Sequence, residues 1–204
     1  IQKDRFAGRA GWHERLVSLD EDKQALCFAV SPAPISAALR QSLPEAQEEA
    51  KNEDLLEVCA AAHLVLNQIK TRFESHPGRA LFIDYGPEAT EFGDTLQALK
   101  RHEKVGVFSD PGNTDLTARV DFAALTEFAK SIDLSVTGTT TQSEFLSRLG
   151  LEIRAVTLAR SKPEARPKLA RQMERLTGVD QMGTLFKAVC VQSGELELPL
   201  GFRD

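Results

Sequence analysis

The apolar residues of the chain fall in short runs whose spacing changes along its length, and each spacing predicts an element. Residues 12–19 and 25–30 alternate in part between apolar and polar positions. With Asp20-Glu21-Asp22-Lys23 between them, they predict an antiparallel hairpin over 12–30 with a charged, exposed turn. Residues 31–53 are rich in Pro, Ala, Ser, Glu and Gln, with Pro32, Pro34 and Pro44 as punctuation, and read as a surface excursion with a short helix after Pro44. From 60 to 74, Leu64, Val65, Ile69 and Phe73 make a helical stripe that His76-Pro77-Gly78 closes. Arg79-Ala80-Leu81-Phe82-Ile83-Asp84-Tyr85-Gly86 then forms an apolar run ending in an acid and a glycine. A buried parallel strand reads this way when its C-terminal end opens onto a crevice. The expectation is an α/β domain in which residues 81–84 form a central, buried strand fed by the preceding helix.

Beyond that strand the pattern is less regular. Residues 94–107 fit a helix or an irregular strand, with the extended reading preferred, and Ser109-Asp110-Pro111-Gly112-Asn113 is a turn cluster. Asp121 suits the N-cap of a helix running to Ser131, with Ala124, Leu125, Phe128 and Ala129 on its apolar face. Residues 134–138 are a short strand candidate. Thr141 followed by Glu144 is a capping-box pattern, and the helix it opens stops at Gly150. Helices continue over 151–158 and 163–176, so that about 141–178 is a helical insertion. The run 184–191, β-branched and aromatic, predicts a last strand in or beside the same sheet.

Composition narrows the class. The chain has 204 residues, 42% hydrophobic and 27% charged, an ordinary balance for a soluble globular protein able to bury a core without covalent staples. Lys plus Arg number 25 against 30 Asp plus Glu, a net charge of -5, and nothing in that balance supports nucleic-acid binding. Cys27, Cys59 and Cys190 are far apart and sit among apolar neighbours, which predicts buried free thiols in a reducing compartment. No apolar run reaches the roughly 20 residues that span a bilayer, and no signal-peptide layout is present. A first residue of Ile rather than Met is expected of a processed or partial form of a longer protein.

The chain contains no GxGxxG, GxxxxGK[ST], HExxH, GxSxG or CxxC, and its histidines show no metal-ligand spacing. An α/β-hydrolase therefore lacks its nucleophile motif. His63, on a helix, reads as a core-edge or surface residue rather than a base. The chemistry-bearing feature that remains is a carboxylate at a strand end. Asp84, followed by Tyr85 and Gly86, is placed where ligands bind in α/β sheets; equally, Asp84 can cap the next segment while Tyr85 packs. Asp115 and Asp121, with Thr117 between them, bracket a loop able to fold over that crevice, although a turn role for Asp115 and a helix cap for Asp121 are the preferred readings.

Several blocks in order say more than any one of them. Trp12-His13-Glu14-Arg15-Leu16-Val17, Phe82-Ile83-Asp84-Tyr85-Gly86, Asp94-Thr95-Leu96-Gln97-Ala98, Pro111-Gly112 with Asp115-Leu116-Thr117-Ala118-Arg119-Val120-Asp121-Phe122, Thr141-Gln142-Ser143-Glu144-Phe145-Leu146 with Leu149-Gly150, and Gln181-Met182-Gly183-Thr184-Leu185-Phe186-Lys187 together resemble the MidA family. These are S-adenosylmethionine-dependent methyltransferases of bacteria and mitochondria, and the activity attributed to them is methylation of a protein arginine. The mitochondrial members assist assembly of respiratory complex I. The resemblance runs from about Trp12 to Phe202 but lacks the family's N-terminal half, with its glycine-rich turn, its ribose-holding acid and its Asn-Glu segment.

The resemblance thus implies the C-terminal part of a methyltransferase domain: a partial Rossmann-like, class I fold with the later strands and inserted helices, and without the cofactor-binding half. It implies S-adenosylmethionine as cofactor of the full-length protein and a protein substrate, with a complex I subunit as candidate. A homodimer or a larger complex is expected, in the mitochondrial matrix of a eukaryote or the cytoplasm of a bacterium. Asp84 and Tyr85 would be catalytic, and Gly86, Asp115, Thr117 and Asp121 would shape the substrate cleft. Arg119 stands where many members carry His, which argues against a universal imidazole base there. The implied reaction is an SN2 methyl transfer in which a carboxylate orients the guanidinium and needs no metal. The alternative is a non-enzymatic binding or assembly module.

Overall fold

The computed structural model describes residues 1–4, 11–22, 24–41, 43–194 and 196–203. In chain order its elements are β1 (Gln2–Asp4), β2 (Gly11–Leu19), β3 (Leu26–Pro34), α1 (Ala37–Gln41), a 3-10 turn (Glu45–Glu49), α2 (Ala60–Ser75), β4 (Arg79–Tyr85), β5 (Gln97–Lys100), β6 (Glu103–Val105), β7 (Asp115–Thr117) and α3 (Phe122–Ser131). There follow β8 (Ser135–Val136), β9 (Thr140–Thr141), α4 (Gln142–Arg148), α5 (Leu151–Ser161), a 3-10 turn (Pro163–Ala165), α6 (Arg166–Thr177), α7 (Met182–Leu185) and β10 (Phe186–Gln192). The chain divides into two compact units, one of residues 1–60 and 90–119, the other of residues 61–89 and 120–204.

In the first unit, β1, β2 and β3 form an antiparallel sheet, with Leu16 opposite Ala29 and a register shift between His13 and Arg15. The hairpin runs further than the alternation suggests: residues 31–34 continue β3, because a prolyl residue is tolerated on the edge of a sheet, where its missing N–H faces outward. What reads as a surface excursion also feeds the core, since Ile35 and Leu43 pack with Trp12 and Leu56. Buried His13 is held by a hydrogen bond between Nδ1 and the Ser31 carbonyl, 2.9 Å long. The extended reading of 94–107 is what forms: β5 and β6 make a hairpin turned by Arg101 and His102 in left-handed conformation, with β7 on the other side of β5.

The second unit is α/β. Its sheet has the order β4-β10-β8, with β9 pairing the start of β10, and every pairing is antiparallel. Helices α2 and α3 cover one face: Leu66, Phe122, Leu125 and Ala129 pack on Val189 and Val191 of β10, with Ala80 and Phe82 of β4 alongside. Asp121 caps α3 by accepting from the Ala124 amide at 2.8 Å. Thr141 and Glu144 form the reciprocal capping box of α4, satisfying amides that the first helical turn otherwise leaves without partners.

One expectation is overturned. Residues 81–84 do form a strand fed by α2, but it is an antiparallel edge, not a central parallel strand; β10 takes the central place. The apolar run alternates across the sheet, so Ala80 and Phe82 enter the core while Leu81 and Ile83 point to the other face and stay 50% and 46% exposed. An unbroken apolar run says that both faces can be covered, not that both are covered within this chain.

Candidate functional site

The residues around the end of β4 are arranged by the way the strand leaves the sheet. The Gly86 amide donates to the Leu185 carbonyl at 3.2 Å, and the Tyr85 carbonyl, on the opposite edge, accepts from the Val120 amide at 3.1 Å. Those two bonds hold Gly86 so close to residue 120 that a Cβ would lie 1.9 Å from the Val120 carbonyl oxygen, so only glycine fits. Gly86 is thus a packing requirement that positions Asp84 and Tyr85.

Asp84 is exposed, and one carboxylate oxygen accepts from the Tyr85 amide at 2.8 Å. Among the described residues no hydrogen bond or ion pair engages the other oxygen. Tyr85 is half-buried, its ring tilted against Phe186 at a centroid distance of 5.7 Å. Asp84 borders a cavity of about 210 Å³ whose other walls are Ala62, Val65, Phe82, Ile83, Val120, Phe122 and Leu125. A carboxylate at the rim of an otherwise apolar cavity can hold one cationic group while the cavity receives a hydrocarbon stem.

Of the other predicted residues, Asp121 is engaged as the α3 cap. Asp115 and Thr117 lie on β7 of the first unit, opposite Leu99 and Gln97; Asp115 is a strand residue rather than a turn stabiliser. The turn role belongs to Asp110, which accepts from the Asn113 side chain at 2.9 Å and from Lys100. Those hydrogen bonds, Asn113 first, hold its carboxyl below the usual range. The structure draws together Asp84, Tyr85 and Gly86, while Asp115 and Thr117 belong to a different body.

Sequence reasoning missed Lys187. Directly opposite Asp84 in register, it reaches back so that its ammonium donates to the carbonyls of Thr184 at 2.5 Å and Gly86 at 3.3 Å. A lone cation at the head of an apolar strand was the available signal. Sequence reasoning also missed how Arg119 is placed. Its amide donates to the Thr95 hydroxyl at 2.9 Å, Thr95 is held by Glu57, and its guanidinium lies 3.4 Å from Glu91.

His63 stacks on Phe128 at 3.8 Å, and burial pushes its pKa down, as for a core-edge histidine. The three cysteines are free; Cys190 is buried, with its thiol pKa raised by burial, whereas Cys59 is exposed, against expectation, since it precedes α2 on the surface. Among the described residues no three His, Cys, Asp or Glu gather as metal ligands, and no helix is long and apolar enough to cross a membrane.

Comparison with known proteins gives this geometry a context. A family model described as "Putative S-adenosyl-L-methionine-dependent methyltransferase" matches residues 4–140. The zebrafish (Danio rerio) mitochondrial protein arginine methyltransferase NDUFAF7 is 34% identical over 179 residues, which is 87% of this chain and 41% of that protein. The human protein of the same name is 30% identical over 86% of this chain and 39% of its own length. A Burkholderia thailandensis protein crystallised with S-adenosyl-homocysteine overlays 98% of this chain with a TM-score of 0.80 at 26% identity, using 51% of its own chain. The chain therefore spans about two fifths of the curated relatives it matches and about half of the solved one. The residues present do not by themselves fit an adenosyl cofactor: apart from Asp84 the cavity wall offers neither a charged side chain nor a glycine-rich cradle to a ribose or an amino-acid group.

Proposed function

The chain belongs to the S-adenosyl-L-methionine-dependent methyltransferase family, and from that premise we propose that it is the C-terminal part of a methyltransferase acting on protein arginine. Residues 1–204 then form one portion of a partial Rossmann-like domain that includes the inserted helices α4, α5 and α6. The observation that carries this reading is the likeness, along nearly the whole chain, to relatives named as protein arginine methyltransferases. S-adenosylmethionine supplies the methyl group once the donor-binding half is joined to this one. The substrate is a protein, with a respiratory complex I subunit as candidate. The zebrafish and human relatives are mitochondrial, and in a eukaryote this chain works in the mitochondrial matrix; in a bacterium it works in the cytoplasm.

In this reading Asp84 is the substrate-facing carboxylate. Its free oxygen accepts from an arginine guanidinium, and the apolar cavity beside it takes the methylene stem. Tyr85 and Gly86 fix the carboxylate's position. Asp121 shapes the segment that starts α3.

Asp84→Asn tests this. In protein that also carries the donor-binding half, methyl transfer should fall by about 3 kcal/mol in barrier, on the order of a hundredfold, the scale of one lost charge-positioning hydrogen bond. Thermal stability should fall by less than about 1 kcal/mol, since the amide side chain still accepts from Tyr85. Unchanged turnover per folded molecule with a lowered thermal midpoint would reduce Asp84 to a cap. Absence of any methyl transfer from the joined wild-type protein would leave the assembly-module reading.

A further inference from the structure

The helices between β9 and β10 carry a charge that the rest of the chain does not. From Arg148 to Thr177 there are eight Lys or Arg against three Glu, although the whole chain has 25 Lys plus Arg against 30 Asp plus Glu. The positive surplus is local. On α6, Lys168, Arg171 and Arg175 follow at three- and four-residue spacing and share an exposed face, while Leu169, Met173 and Leu176 turn inward and are half-buried. Among the described residues none of these three cations is in an ion pair, nor is Arg154, Arg160 or Lys162 along α5 and its end. Beside them runs an apolar ridge. Leu151, Ala155 and Leu158 make the inner face of α5, which leaves Ile153 and Val156 outward, 74% and 50% exposed, with Arg160 one turn further on. The ridge continues past the start of α5. The tip of Ile153 lies near Gly150, where a Cβ would be 3.9 Å from it, and a Cβ on Gly201 would be 3.4 Å from Leu149, which brings in Leu200, itself 74% exposed.

A contiguous apolar ridge bordered by cations without acidic partners marks a surface built to meet something. Two features set the chemistry of the occupant. The cations require several anions close together, and the ridge is convex, since a side chain three-quarters exposed has no walls around it. A rigid protein partner would have to supply a hollow for each protrusion, whereas a fluid layer of headgroups and acyl chains closes around any of them. A nucleic acid would match the charge and leave the ridge without a role. We propose that the α5–α6 layer is a docking face for an anionic lipid bilayer. Ile153, Val156 and Leu200 enter the boundary between headgroups and acyl chains, and Lys168, Arg171 and Arg175 meet lipid phosphates, their aliphatic stems lying along the apolar surface. The chain rests on the bilayer and does not span it, for no described helix is long and apolar enough to cross. Charge also fixes the orientation: with a net charge of -5, the rest of the chain is repelled by the surface that attracts this layer. The proposal stands apart from the methyltransferase reading and holds or fails without it.

The test is co-sedimentation of the 204-residue chain with vesicles of phosphatidylcholine alone and with about one third phosphatidylglycerol, at low and at roughly physiological salt. Binding should appear only with the anionic lipid and weaken as salt rises. Lys168→Glu with Arg171→Glu should lower the affinity about tenfold or more, and Ile153→Ser with Val156→Ser several-fold, whereas Arg101→Glu with Lys104→Glu, an equal change of charge at exposed residues of the first unit, should change it far less. The thermal midpoint of each variant checks that it folds. Hydrogen exchange of the wild type on the same vesicles should add protection in α5 and α6, a readout that needs no variant. No binding to either vesicle, equal binding to both, or equal losses from the two charge reversals would overturn the docking face. Full affinity in the serine variant would overturn insertion of the ridge. Capture of poly-L-glutamate through Lys168 and Arg171 without any vesicle binding would overturn the choice of occupant in favour of an acidic protein.

Discussion

Strands β4 and β10 lie side by side with residue-for-residue pairing from Arg79 opposite Gln192 to Tyr85 opposite Phe186, and both carry apolar runs. Their environments differ sharply. Along β10, Ala188, Cys190, Val189 and Val191 are buried on both faces; along β4, Leu81 and Ile83 are half open. Nothing in side-chain type accounts for this, since Leu and Ile are at least as apolar as Ala and Cys. Neighbours account for it: among the described residues β10 has β4 on one side and β8 and β9 on the other, while β4 has one strand partner. Apolar content reports how much burial a strand is built to receive, and the fold present decides how much it gets.

The strongest test of that contrast is the side chain beneath both strands. Phe122 is fully buried and packs in the core shared with Ala80 and Phe82 of β4 and Val189 and Val191 of β10. Phe122→Ala should cost about 3–5 kcal/mol in chemical denaturation, enough to unfold a marginal unit. Between the strands, Val189→Ala should cost about 2 kcal/mol and Leu81→Ala less than about 1 kcal/mol in the chain alone. Equal losses would mean that β4 is as enclosed as β10.

Next in size is the exit from β4. Gly86→Ala places a Cβ against the Val120 carbonyl, and a backbone atom cannot swing aside as the tip of a long side chain does. Relief requires breaking the amide bond to Leu185 or the one between Val120 and Tyr85, at about 1–3 kcal/mol. Melting should register the loss, and hydrogen exchange at Gly86 and Val120 should localise it. A neutral outcome would mean that the end of β4 is loosely held.

Elements governed by local chemistry were legible in the sequence. The Asp121 and Thr141–Glu144 caps, the close of α2 before His76-Pro77-Gly78 and the hairpin around Asp20 all rest on signals within a few residues. What was not legible depends on distant partners. Strand order and the antiparallel sense of β4 follow from β10, a hundred residues later in sequence, and burial of Ile35 and Leu43 follows from Trp12 and Leu56. The candidate site divides likewise. Asp84 at a strand end was readable, whereas the recruitment of Lys187 and the absence of Asp115 and Thr117 from the second unit were not.

A smaller effect is expected at α3, whose Phe122 and Leu125 cover the inner side of β4. Asp121→Ala removes the acceptor for the Ala124 amide and should cost about 1 kcal/mol, with Asp121→Asn or Asp121→Ser restoring most of it. If Asp121→Asn were as damaging as Asp121→Ala, its charge would matter beyond capping, and a role toward substrate would gain support.

The smallest effect sits on the β10 side and is read by pH. Glu144 accepts from the Thr140 hydroxyl at 2.7 Å and from the Thr141 amide at 3.2 Å, pinning α4 to β9, which pairs with β10 at Lys187 and Ala188. These hydrogen bonds, Thr140 first, favour the carboxylate and hold its pKa below the ordinary value of 4.5. A carboxylate whose pKa is lower folded than unfolded contributes its full stabilisation above the unfolded value and loses it as pH falls through the folded one. Stability of the wild type should therefore decline below about pH 4.5 more steeply than that of Glu144→Gln, and the two should differ by a constant amount above it. The side chain is exposed, so screening by water limits the difference to about 0.5 kcal/mol. Melting curves at low and neutral pH measure it. Parallel pH profiles for the two proteins would show that the cap holds β9 without help from the charge, and that enclosure of β10 rests on packing alone.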